Sequence, residues 1–246
     1  MIYTKFVVFP FLCFYLFGRA MLVQPIYRNL RGIHIKAHDD RYHTANSIGM
    51  HSVSSLCDCL KVCLHDDRCL SYFHNSLTGD CILHSDPFTY TPMSNSGTGW
   101  KFYLAKPATG RCSEQADFFY YRHLDFCYNF NGLSHKNYTA FEENCRANGT
   151  TLLRIDSVER MQYHQIITTN VGVYGVGGIC IQGYRGNIGD NWTFTDGTSM
   201  TYFNWGPLEP SGNGHIEIFR YSNYEWYVQP NTGNSNCSYS CELRSS

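Results

Sequence analysis

The chain has 246 residues, 43% hydrophobic and 16% charged, which at roughly 100–200 residues per domain means one large domain or two small ones. Nineteen Lys and Arg stand against 20 Asp and Glu, and no run of like charge rises above that background, which argues against a nucleic-acid surface or a polybasic membrane patch. The apolar content also sets it apart from a disordered polyelectrolyte, and leaves 12 cysteines, 19 Tyr and 16 Phe as the unusual numbers.

The N-terminus supplies a compartment for the cysteines. A short positive start, Met1 to Lys5, precedes the apolar run Phe6 to Phe17, and Gly18-Arg19-Ala20 places small residues at the −3 and −1 positions of a cleavage site after Ala20. Residues 1–20 therefore read as a secretory signal peptide. A membrane anchor needs about 20 apolar residues, and Pro10 interrupts this shorter run. No later segment is long and apolar enough to span. The expected product is secreted, extracellular and oxidised, with 17 basic and 20 acidic residues after cleavage. Cys13 leaves with the signal, so eleven cysteines remain. That odd number requires at least one thiol to be unpaired or joined to another chain.

Four sequons, at Asn137, Asn148, Asn191 and Asn236, agree with secretion. The cysteines fall into two groups, 57/59/63/69/81 and 112/127/145/180/237/241, and the Pro- and Gly-containing stretch between them predicts a linker over 106–111. Two disulfide-rich α+β domains are expected.

In the first group, Ser54-Ser55 offers an N-cap to a helix beginning near Leu56, where Leu56 and Leu60, and Cys59 and Cys63, share helix faces. Cys69-Leu70-Ser71-Tyr72-Phe73 and Cys81-Ile82-Leu83 read as strands around a Thr78-Gly79-Asp80 turn. The spacing Cys59-x3-Cys63-x5-Cys69-x11-Cys81, closed by Gly99-Trp100-Lys101-Phe102-Tyr103, resembles a PAN/apple domain over residues 23–105. The resemblance implies the pairs Cys59–Cys81 and Cys63–Cys69. Cys57 is extra to it. It is a candidate for an intermolecular disulfide that would link two copies, the other readings being a buried free thiol or an alternative pairing. Oxidation makes a zinc site from this cluster improbable. His34, His38 and His43 with Asp39 and Asp40 fit no closed metal site and read as solvated loop or edge-strand residues.

The second group holds the landmarks of function. Phe118-Phe119-Tyr120-Tyr121 is strand-like, Tyr138 to Arg146 is helical by pattern, and Leu152, Leu153 and Ile155 read as a strand. Asp156 with Glu159 resembles a capping box opening a second helix. Ile179-Cys180-Ile181-Gln182-Gly183, Trp192-Thr193-Phe194-Thr195-Asp196-Gly197-Thr198, Tyr202-Phe203-Asn204-Trp205, Glu209-Pro210-Ser211, His215 to Phe219, Trp226, Cys237 and Cys241 follow in that order. This succession resembles a C-type-lectin-like domain across 112–246. The resemblance implies two helices flanking two small sheets, a long loop region as the binding face, and the bridges Cys112–Cys127 and Cys145–Cys241. Where the family carries a further loop cysteine this chain has His215, and Cys180 replaces a preferred tryptophan. Cys180–Cys237 is the expected substitute bridge; the alternative leaves either thiol free.

In family members that bind sugar through calcium, Glu-Pro-Asn and Trp-Asn-Asp motifs supply oxygen ligands. Here they read Glu209-Pro210-Ser211 and Trp226-Tyr227-Val228. Calcium wants six to eight oxygens, and Glu209 is the principal metal candidate, with Asn213 near another acidic ligand position and Glu217 and Glu225 as nearby acids. The aromatic and polar residues Tyr202, Phe203, Trp205, Tyr221, Tyr224, Trp226 and Tyr227 with Asn204, Asn213 and Asn223 form the remaining candidate surface, although the resemblance implies packing roles for Trp205 and Trp226. The expected function is a secreted carbohydrate-recognition protein whose calcium site is degenerate or absent, with glycans or glycoproteins as partners. The alternative is a calcium-independent protein-binding module of adhesion, matrix or defence. No catalytic motif is present: Gly-x-Ser-x-Gly, His-Glu-x-x-His and a phosphate loop are all missing, and glycine-rich 172–178 precedes a strand and not a helix.

Overall fold

The computed structural model describes residues 30–89, 91–107, 112, 117–169, 178–219, 222–230 and 235–243. The expected signal peptide, residues 108–111 of the linker, residues 172–177 of the glycine-rich loop, Tyr221 and the Asn236 side chain lie outside the described residues. The chain divides into two compact units, Met1–Ser85 with Met93–Glu114, and Asp86–Pro92 with Gln115–Ser246.

The first unit runs β1 (Leu30–His34), β2 (Arg41–Tyr42), β3 (Gly49–Ser52), α1 (Leu56–His65), β4 (Ser71–Asn75), β5 (Asp80–His84), β6 (Asn95–Ser96) and β7 (Trp100–Pro107). A five-stranded antiparallel sheet has the order β1-β7-β4-β5-β3, and β2 pairs β6 separately. Ser55 caps α1 by accepting from the Asp58 N–H at 3.2 Å, the bond that helix N-termini leave open to a short polar side chain. The turn between β4 and β5 needs Gly79: its φ is +77°, and a Cβ there would come within 2.6 Å of the Val53 carbonyl oxygen. Cys59 and Cys63 point inward from α1 and are bonded to Cys81 and Cys69. With Tyr72, Leu83 and Tyr103 they make this unit's core. Lys106 and Pro107, expected to begin the linker, instead end β7, where they pair with Arg31 and Leu30.

The second unit continues with β8 (Phe119–Tyr121), β9 (Phe126–Lys136), α2 (Tyr138–Ala147), β10 (Thr151–Leu152), α3 (Val158–Thr168), β11 (Gly178–Arg185), β12 (Gly214–Phe219), β13 (Glu225–Gln229) and β14 (Ser235–Leu243). Two antiparallel groups, β8-β9-β14-β10 and β11-β12-β13, match the two small sheets expected. They are continuous, however: Gly178 to Cys180 of β11 pairs in parallel with Cys237 to Tyr239 of β14. The Cys180–Cys237 disulfide lies at that junction, and Cys145–Cys241 ties α2 to β14. Cys112 and Cys127 are disulfide-bonded as well. Asn137 caps α2 by accepting from Ala140 N–H at 2.9 Å. The cap of α3 is Ser157, which accepts from Arg160 N–H at 3.2 Å. The expected Asp156–Glu159 box is therefore displaced by one residue, because Asp156 is engaged by Arg154 and Arg160.

The main core of this unit gathers Tyr128, Leu153, Met161, Tyr163, Ile181, Ile216, Ile218 and Trp226. Alternation along β12 explains the sorting: Ile216 and Ile218 enter that core while His215 and Glu217 face away from it, with Glu217 opposite Cys180 in the register.

Candidate functional site

The candidate site is the loop joining β11 to β12, supported from beneath by β13. Two backbone bonds hold it to β13: Trp226 N–H donates to the Asn204 carbonyl at 2.8 Å and Gly206 N–H to the Trp226 carbonyl at 3.0 Å, while within the loop Glu209 N–H donates to the Gly206 carbonyl at 3.1 Å. The Asn204 amide adds a bond to the Tyr224 carbonyl at 2.9 Å. Trp226 is fully buried, with the rings of Tyr202, Phe203 and Trp205 at 5.6, 6.4 and 5.9 Å. These aromatics are the foundation of the loop more than its binding face.

Above them, the Glu209–Pro210 bond is cis. The Glu209 carboxylate accepts from Ser211 N–H at 2.8 Å, from the Ser211 hydroxyl at 3.0 and 3.1 Å, and from Val228 N–H at 3.2 Å. Val228 has no side-chain oxygen to offer, yet its backbone N–H reaches Glu209. Asn213 donates to the Gly186 carbonyl at 2.8 Å, so the segments on either side of the loop touch. Arg185, at the end of β11, donates through Nε and Nη2 to the Gly212 carbonyl and through Nη2 to the Pro210 carbonyl at 3.5 Å.

The other two acids do not join Glu209. Glu217 is 5% exposed, its Oε1 lies 3.5 Å from Nε2 of buried His215, and it packs beside Cys180. His215 is stacked on Tyr138 at 4.4 Å between ring centroids. Glu225 accepts a hydrogen bond from the Tyr227 hydroxyl at 3.1 Å. Among the described residues, the one group of three His, Cys, Asp or Glu side chains whose ligand atoms lie within 4.8 Å is Cys180, Glu217 and Cys237. Its sulfurs are bonded to each other and cannot ligate. Calcium sites are built from several carboxylates and carbonyls, whereas the 206–213 segment of this loop has one carboxylate, Glu209, already bonded to its own chain.

In the first unit, two of the candidate histidines have partners of their own. His34 is paired with Asp39 at 2.6 Å, and His43 meets the Ser94 hydroxyl at 3.0 Å. Cys57 is the free cysteine of the described residues and is partly exposed. Asn137, Asn148 and Asn191 are exposed. Arg185 was invisible to motif reading, since a lone cation at the end of an apolar strand has no pattern; only its place seven residues before Trp192's buried ring gives a clue. Nor did the sequence mark Leu208, which is 96% exposed with φ +67° and precedes Glu209.

The second unit has a C-type-lectin-like fold, by its two helices, its paired strand groups, the disulfides and the loop set between β11 and β12. Residues 33–99 match the family described as PAN domain. Human lithostathine is similar to the chain at 18% identity, covering 55% of this chain and 94% of that one with a TM-score of 0.47. SPL-1 in complex with GlcNAc is similar at 18% identity, covering 55% and 98%, TM-score 0.45. A third is the Ca2+-independent C-type lectin SPL-2 from Saxidomus purpuratus, at 17% identity, 52% and 91% coverage, TM-score 0.44. No curated protein matches the chain in sequence.

Proposed function

We propose that the chain is a secreted recognition protein of C-type-lectin type that binds glycans without calcium. One observation carries the calcium-independence: the Glu209 carboxylate accepts hydrogen bonds from Ser211 and Val228 of its own chain, so its oxygens already have partners. Exposed Ser211 and Asn213 on that loop offer hydroxyl and amide partners, and the half-exposed ring of Tyr184 on the neighbouring strand offers a face for stacking on sugar. The work of such a site is contact, not chemistry. Single-site affinity would be weak and raised by multivalency, for which a Cys57–Cys57 bridge between two copies is the simplest route. N-glycans at Asn137, Asn148, Asn191 and Asn236, and a setting in adhesion, matrix or defence, complete the proposal.

A protein ligand is the second reading, and Leu208 favours it. A leucine in left-handed backbone costs about 1–2 kcal/mol, and here that conformation holds an apolar side chain in water. Ile188, 76% exposed, adds to the apolar surface. A glycan array probed with the disulfide-intact protein, with and without chelator, separates the readings. Chelator-insensitive binding to sugars supports the first, no binding to any glycan favours the second, and binding abolished by chelator contradicts the calcium-independence of both.

A further inference from the structure

We infer that Arg185 is the positioning residue of the recognition loop, its guanidinium holding the Pro210 and Gly212 carbonyls together where a metal cation would otherwise be the organising charge. The inference rests on the calcium-independent reading above and deepens it. Carbonyl oxygens brought together around one point are what a hard cation collects, and here the charge at that point is covalently part of the chain.

The side chain is placed to act this way. It is 9% exposed, and its fork makes two bonds to the Gly212 oxygen and a longer one to Pro210. Its face lies over the Trp192 ring at 4.9 Å. No carboxylate of the described residues lies within ion-pairing distance of it, Glu209 included, so carbonyl dipoles and a ring face carry the whole compensation for a buried cation. Burying a charge costs several kcal/mol unless it is well bonded, which makes this arrangement an unusual way to use arginine if packing were its purpose. Planarity matters: a guanidinium donates in two directions within one plane and stacks at the same time, and an ammonium cannot. The backbone fixes both ends of the span. Arg185 pairs with Gly214 in the β11–β12 ladder, and Gly214 has φ +143° with Gln229's carbonyl oxygen only 2.0 Å from where a Cβ would stand. With the strand ends pinned, the guanidinium sets where residues 210–212 lie, and through them where Glu209 and Ser211 point.

The test is hydrogen exchange in peptides covering 206–214 of the full, disulfide-intact protein, for wild type, Arg185→Met and Arg185→Lys. Methionine keeps an apolar stem for Trp192 and removes the charge. The expected result is exchange of the Ser211 amide at least about tenfold faster in the Met variant, the scale of a lost charged hydrogen bond. Peptides from β9 and β14 should be unchanged, and lysine should restore part of the protection. Wild-type protection in Arg185→Met, or a lysine variant as protected as the wild type, overturns the inference. Should the variants fail to fold, the wild-type protein still decides: its Arg185 Nε–H, donated to Gly212, should exchange slowly in 15N-edited NMR, and rapid exchange overturns the inference. A chelator that loosens the wild-type loop would instead overturn the calcium-independent reading, and a blank glycan array would remove the sugar ligand while leaving the role of Arg185 standing.

Discussion

His164 gives the sharpest stability prediction. It lies on the inner side of α3 at 2% exposure, and neither ring nitrogen has a hydrogen-bond partner among the described residues. Burial lowers its pKa from 6.5 to about 3. An unfolded chain titrates this ring near 6.5, so between about pH 6.5 and pH 3 the unfolded state binds a proton that the folded state excludes. Stability is complete above that window and falls as the pH drops through it. The loss is about 2 kcal/mol at pH 5 and roughly 4–5 kcal/mol by pH 3. His164→Leu removes the titration and two unsatisfied nitrogens, so it should be neutral or stabilising at pH 7.5. Urea unfolding followed by tryptophan fluorescence reports mainly on the second unit, which holds Trp192, Trp205 and Trp226. Between pH 7.5 and pH 5 the wild type should lose about 2 kcal/mol more than the variant. His84 of the first unit, whose pKa burial lowers to about 4, is common to both proteins and cancels in the comparison. Equal losses in the two proteins would refute the reasoning.

Three further outcomes are expected. Trp226→Ala should destabilise the second unit by about 3–5 kcal/mol, the cost of emptying a fully buried aromatic site, read from the same urea transition. Replacing Cys145 and Cys241 together by Ser opens a loop of 96 residues and should cost about 4–5 kcal/mol on the loop-entropy model, seen as a lower melting temperature. Cys57→Ser should abolish a covalent dimer band on a non-reducing gel without lowering the melting temperature, because Cys57 has no intrachain disulfide to lose.

Local chemistry made much of the fold legible in the sequence. Ser55 is a cap because a short polar side chain meets a free N–H, and that needs only neighbours in sequence. The pairs Cys59–Cys81, Cys63–Cys69 and Cys145–Cys241 follow from the two resemblances, and the same pairs are bonded in the structure. Cys180–Cys237 came from the vacancy that His215 leaves, and it too is bonded. What stayed hidden depends on long-range placement. Asp156 looks like a cap until Arg154 and Arg160 claim it. Glu217 looks like a ligand until β12 alternation turns it toward Cys180 and His215. Arg185 and Val228 N–H act on the loop through backbone groups from other segments, which no side-chain motif records. Asp86 to Pro92 belongs to the second unit although it lies within the stretch that matches the PAN domain.

Calcium titration by calorimetry, on the full disulfide-intact protein in metal-free buffer, bears most directly on the recognition site. No saturable uptake should occur up to about 1 mM, the weak end of extracellular calcium sites, and melting temperature should be the same with calcium or chelator. Stoichiometric uptake below that concentration, lost in Glu209→Ala, would contradict a loop that is shaped by its own chain.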